Sequence, residues 1–167
     1  MTNSPQPYCL DSNVLIQAWN NYYSPDICPD YWNLLNGLGK DRKILLPHMV
    51  FEEISRTDDE LTKWLKLSDI PRLSQDERVV QCWKDVLVKD PLHHHLVDNI
   101  KQRSLADPWV IAHAMNEGAC VVTKENMETA RTNRIKIQNV CENMGVRWVN
   151  DFEFIRELNI RFSCSIS

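Results

Sequence analysis

Tyr8-Cys9-Leu10-Asp11-Ser12-Asn13-Val14-Leu15-Ile16 is a short apolar run that stops abruptly at an aspartate. Ser12 and Asn13 follow, and either can cap a helix. Val14, Leu15, Ala18 and Trp19 then recur at helical spacing. The stretch reads as strand, sharp turn and helix, with one carboxylate at the carboxyl end of the first strand. In open α/β sheets that edge is where ligands bind. Asp11 is therefore the first candidate site residue.

The rest of the chain repeats this alternation. Residues 43–46 are a compact apolar run after charged residues and predict a second strand; Pro47 then opens a helix through about residue 56. Amphipathic spacing predicts helices over 59–67 and 76–89, with a loop over 68–74 that contains a short extended piece. Beyond Pro91 the helical pattern resumes over 92–102. Residues 106–115 are the strongest later helix, closed by Gly118, and 119–123 form a nearly unbroken buried strand. A polar, basic segment over 124–136 leads to a short helix, a strand over 146–149 and a helix over 151–158; the tail over 160–167 is expected to add an edge strand. Strands alternating with helices predict an α/β fold: a central, mostly parallel sheet with helices on both faces. No repeat or linker interrupts the pattern, so residues 1–167 are expected to form a single domain.

Composition sets limits on function. The chain has 167 residues, 43% hydrophobic and 25% charged, which suits one globular domain. No apolar run reaches ~18 residues, so no membrane span is expected. Residues 1–7 carry neither a basic region nor an apolar one of the secretory type, which points to a cytoplasmic protein. The six cysteines form no CxxC pair and no zinc-ligand spacing, and they read as reduced thiols. A net charge of −4 argues against a general electrostatic binder of nucleic acid. It leaves room for an acidic site that handles nucleic acid through a metal ion.

Three further acids share the setting of Asp11. Glu53 lies early in the helix after the second strand, Asp107 opens the helix before the third long strand, and Glu125 sits just past that strand's end. Parallel topology brings strand ends and the following helix starts to one edge. A bare cluster of carboxylates is unfavourable, and a divalent cation relieves it. Oxygen ligands without His or Cys favour Mg2+ or Mn2+ over zinc. The fitting chemistry is metal-assisted attack of water on a phosphodiester.

These residues resemble a known family. Tyr8-Cys9-Leu10-Asp11-Ser12-Asn13-Val14-Leu15 is similar to the opening strand and turn of PIN domains. Val50-Phe51-Glu52-Glu53-Ile54, Leu105-Ala106-Asp107-Pro108-Trp109-Val110-Ile111-Ala112-His113-Ala114 and Val121-Val122-Thr123-Lys124-Glu125 resemble the later motifs, although Asp is commoner than Glu in the last. The resemblance covers about residues 8–150. It implies a three-layer α/β/α fold with strand order 3-2-1-4-5. It also implies an Mg2+- or Mn2+-dependent nuclease, most often an endoribonuclease leaving 5′-phosphate and 3′-hydroxyl ends, with RNA as substrate. Asp11, Asp107 and Glu125 would hold metal, directly or through water, and Glu53 would complete the cluster. Small members of this kind, similar to the VapC group, are often toxins of toxin–antitoxin pairs, so an antitoxin protein and a homodimer are implied partners. Relative to the shortest members, residues 57–104 form a long helical insertion.

Each assignment has an ordinary alternative. Asp11 and Asp107 occupy helix starts, where Asp is common. Glu53 competes with Glu52, and only one of two successive helix residues faces the site. Glu125 competes with a solvated loop role, and Glu128 stands beside it. Asn13 and Thr123 either orient a water or an acid, or serve as a cap and a strand-end polar residue. Lys124, Arg131 and Arg134, with Lys136, either clamp a substrate backbone or form an exposed loop. His93-His94-His95 reads as a solvated face, His113 as a packed helix residue, and the tryptophans as core or partner interface before base stacking. Besides an endoribonuclease, the same residues are compatible with a DNA- or structure-specific nuclease, or with an inactive PIN-like interaction module.

Overall fold

The computed structural model describes residues 5–98, 104–124 and 135–167. Strands β1 (Tyr8–Leu10), β2 (Ile44–Pro47), β3 (Arg72–Leu73), β4 (Cys120–Val122) and β5 (Trp148–Val149) form one sheet of order β3-β2-β1-β4-β5. Every pairing is parallel, with Tyr8 opposite Ile44 on one side and Cys120 on the other. The central strands β1, β2 and β4 are buried along their whole length. Apolar residues at every position are what a parallel sheet covered on both faces requires. Leu10, Leu46 and Val122 are fully buried, and each contributes ~1.5–3 kcal/mol of apolar burial.

The helices are α1 (Ser12–Asn20), α2 (Pro29–Lys40), α3 (His48–Ile54), α4 (Glu60–Leu67), α5 (Glu77–Lys89), α6 (Asp107–Glu117), α7 (Ile137–Met144) and α8 (Asp151–Glu157). Most starts are chemically marked. Asp59 accepts the Thr62 amide at 2.9 Å and Asp76 the Val79 amide at 3.0 Å. At α8, Asn150 accepts the Glu153 amide at 2.8 Å while the Glu153 carboxylate accepts the Asn150 amide at 2.9 Å, a reciprocal cap. Gly118 ends α6 at φ 62°, a left-handed conformation that glycine adopts without a Cβ penalty.

Because the strands are parallel, Asp11, α3, α8 and the start of α6 gather at the carboxyl edge. The helix α6 begins there and runs back before feeding β4. The pair α5 and α6 is antiparallel: Trp83 stacks on Trp109, while the Asp76 carboxylate acts on His113 one turn further along α6. The C-terminal half of α5 therefore lies beside the end of α6 that carries Asp107.

Three expectations change. The helix expected over 92–102 is a 3-10 turn over Pro91–Leu96 that ends in extended backbone at Val97; residues 99–102 lie outside the described residues. His93 is not on a solvated face. It is fully buried, its Nδ1 2.6 Å from the Val86 carbonyl oxygen and its Nε2 3.0 Å from the Asn143 amide, while His94 and His95 are exposed. The tail over 160–167 forms no strand; Phe162 packs instead on the rings of Tyr23 and Tyr31.

Candidate active site

Asp11 directly follows β1 and occupies the N-cap position of α1, yet its carboxylate makes no capping bond. It is 1% exposed. The Thr123 hydroxyl donates to its Oδ2 at 3.0 Å, reaching across from the end of β4. The buried Ser12 hydroxyl lies 3.4 Å from Asp11 Oδ1 and 3.1 Å from Glu53 Oε2. One hydroxyl proton serves one acceptor at a time, so Ser12 sits between two carboxylates that converge on it. Glu53, half-buried on α3, is thus brought to Asp11. Glu52 points elsewhere, its carboxylate 3.8 Å from His48 in an exposed pair. The ~100° turn between successive helix residues separates the two glutamates.

Asp107 is the first residue of α6, with Pro108 behind it, and is 6% exposed. An acid in a first turn is favoured by the helix dipole. Asp107 and Asp11 both act electrostatically on the buried thiol of Cys141 on α7. Burial is the largest cause of its raised pKa, and the charges of Cys120, Glu142, Asp11 and Asp107 add to it. Both aspartates are therefore within electrostatic reach of one buried point behind the carboxyl edge.

Asn13 is half-buried in the first turn of α1. Thr123 is fully buried and engaged with Asp11. Lys124 is folded into a neighbouring group: its Nζ lies 2.6 Å from the Tyr22 hydroxyl and 3.3 Å from Asp151 Oδ2, over the Tyr22 ring at 4.3 Å. The Tyr22 hydroxyl in turn donates to Asp151 at 2.7 Å. Burial, then this bond and the Asp151 charge, push the Tyr22 phenol well above its ordinary range. Glu125, Arg131 and Arg134, with Glu128, lie outside the described residues. Among the described residues, no group of three His, Cys, Asp or Glu side chains is arranged to hold a metal ion.

Sequence reasoning missed two buried polar residues near this edge. Asp151, 3% exposed, opens α8 directly after β5. The strand-end rule that selected Asp11 points to it as well. Gln138, in the first turn of α7 and one turn before Cys141, is fully buried with neither amide atom hydrogen-bonded. Nothing local in the sequence signals that burial.

Residues 8–162 match a family model described as Domain of unknown function (DUF4411). No curated protein matches the chain. Among solved structures, the chain is similar to VapBC2 from Rickettsia felis, a crystal structure bound to a DNA fragment from their promoter. The TM-score is 0.56 at 18% identity, over 86% of this chain and 97% of that one. It is also similar to FitAcB from Neisseria gonorrhoeae, with a TM-score of 0.52 at 15% identity, over 87% of this chain and 98% of that one. At these identities the likeness is one of fold.

Proposed function

Because the chain belongs to the DUF4411 family and has a PIN-like fold, with its central parallel sheet of order 3-2-1-4-5, we propose that it is a divalent-metal-dependent nuclease that hydrolyses phosphodiester bonds in RNA. The observation that carries this reading is the convergence of Asp11 and Glu53 on the Ser12 hydroxyl at the carboxyl edge. Two carboxylates facing one small donor repel each other, and a cation relieves that repulsion. The donor set is oxygen only, and it suits Mg2+ or Mn2+, hard ions that keep several waters and take few protein ligands.

In this reading Asp11, Asp107 and Glu125 hold the metal, directly or through water. When bound, the metal supplies a more acidic water and neutralises charge on the phosphate. Thr123 fixes the orientation of Asp11, and Ser12 couples Asp11 to Glu53. Glu53 completes the cluster and orients the attacking water by hydrogen bonding. Asn13, in the same turn, would help position the substrate, with Arg131 and Arg134 as contacts to the nucleic-acid backbone. Lys124, the other substrate-positioning candidate, is paired with Asp151 at the same edge. Two solved structures of similar fold are described as VapBC2 and FitAcB. That likeness supports a toxin role with an antitoxin protein as partner. We read residues 57–104 as a helical insertion into a single PIN-like domain.

The test is incubation of total RNA with the full chain, with and without Mn2+, beside the Asp11→Asn protein. Cleavage that needs metal and is lost in the Asp11→Asn protein is expected, with a retained fold by circular dichroism. Unchanged cleavage by that variant sinks the assignment. Matched RNA and DNA strands separate an endoribonuclease from a DNA-directed enzyme. Absence of divalent binding at millimolar metal in calorimetry would make the chain an interaction module.

A further inference from the structure

Beside the acidic edge lies a groove of about 260 Å³, lined in part by Trp83 and Leu87 of α5, His94 of the 3-10 turn, and Leu105, Pro108 and Trp109 around the start of α6. Trp83 and Trp109 are stacked, with ring centroids 5.0 Å apart and planes 11° from parallel. Trp19, Trp32 and Trp64, by contrast, pack edge-on or tilted against one another within the core cluster. Asp107 sits in the chain between Leu105 and Pro108, so the groove and the acid share one turn of backbone. Leu105 and Trp109 are partly exposed and His94 is exposed, so the groove opens to solvent.

Resting on the nuclease reading above, we propose that this groove receives one unpaired base of the RNA substrate, seated on the Trp83–Trp109 pair, and so fixes which phosphodiester reaches Asp107. Three features select a base over an apolar peptide side chain. Its wall includes two parallel indoles, and a base continues such a stack with its own π face. Its volume suits a single planar ring system. A base held there brings its own covalently attached phosphate to the turn of backbone that carries Asp107, which an apolar side chain does not. His94 at the groove adds a hydrogen-bonding edge that every base can use. Residues 57–104 supply Trp83, Leu87 and His94, so the stretch read as an insertion would build this subsite.

The test pairs a change in the protein with a change in the RNA. Binding of a labelled single-stranded oligoribonucleotide is measured by anisotropy on the full chain carrying Asp11→Asn, which prevents cleavage. A set of strands carries a single abasic nucleotide at each position in turn. One abasic position is expected to weaken binding about tenfold, the size of one lost base–aromatic stack. Leu87→Trp, which fills the groove and keeps both indoles, is expected to weaken the intact strand by a similar factor and to abolish the sensitivity to that position. Trp83→Leu serves as a second variant, with urea unfolding to confirm that each protein folds. An abasic penalty that persists in both variants, or no sensitive position at all, overturns the groove assignment. Equal binding of intact RNA by all three proteins also overturns it and leaves the groove to an apolar peptide. Those results leave RNA cleavage by the parent chain intact, whereas failure of the nuclease reading shows as no metal-dependent cleavage by that chain.

Discussion

Replacing His113 by leucine should stabilise the protein most on the acid side of neutrality. His113 is fully buried on α6, and neither ring nitrogen has a hydrogen-bond partner. Burial pushes its pKa down from 6.5 to about 4; the Asp76 charge opposes this, and His48 adds to it. A lowered folded pKa means that the native state resists protonation while the unfolded chain does not. The contribution of neutral His113 is therefore complete above pH 6.5 and is lost as pH falls from 6.5 towards 4. Between about pH 7.5 and about pH 5, that difference in proton uptake costs the parent protein about 2 kcal/mol. His113→Leu changes side-chain volume little, so its packing effect is common to both pH values and cancels in the comparison. The assay is urea unfolding of both proteins at the two pH values. The parent should lose about 2 kcal/mol more than the variant on acidification. Parallel losses would falsify the claim that the imidazole is buried uncharged. A deficit of several kcal/mol in the variant at the higher pH would show that the ring is hydrogen-bonded after all.

Three other changes follow from named contacts. Ser12→Ala removes the hydroxyl between Asp11 and Glu53; on the proposed nuclease function, kcat for RNA cleavage should fall about 10- to 100-fold, the range of a lost hydrogen bond to a charged group, and an unchanged kcat would leave Ser12 a purely structural residue. Gly39→Ala places a Cβ 2.7 Å from the Ile70 Cα, a backbone atom that cannot swing aside, and urea unfolding is expected to show a loss of about 1–3 kcal/mol in unfolding free energy. Tyr22→Phe deletes the donor to buried Asp151 and the acceptor for Lys124; thermal unfolding should register a loss of about 1–2 kcal/mol, and a melting point equal to the parent's would show the trio to be energetically slack.

What the sequence made legible was local. The strand over Tyr8–Leu10, the acid behind it and the helix after it each follow from a few neighbouring residues, as do the buried strand Cys120–Val122 and the glycine that ends α6. The strand order came with the resemblance to PIN domains. Composition could not supply it, because β3 is two residues long and joins the sheet only by pairing with Leu46 and Pro47. His93 was misread because its burial depends on Asn143, fifty positions away in the chain. Asp151 shows the opposite failure. The strand-end rule reached it, but its helix start also carries an ordinary reciprocal cap at Asn150, which hid a buried acid paired with Lys124.

The weight of the functional reading falls unevenly on the acids, and the helix starts show why. Asp59 and Asp76 sit at N-cap positions and accept the amides expected of them. An aspartate used this way stabilises its helix by ~0.5–2 kcal/mol and needs no further explanation. Asp107 gains from the helix dipole at a first turn, so its position alone says little. Asp11 holds the same kind of position and forgoes the capping bond. Its carboxylate is buried, is turned to Thr123 and Ser12, and shares Ser12 with a second acid. To cap α1 alone, an asparagine or serine side chain turned to the helix amides would serve. Natural sequences break such local rules chiefly where a site requires it. Asp11 sits at a helix start without the capping bond that would account for it there, and so the metal and nuclease reading stands on it first.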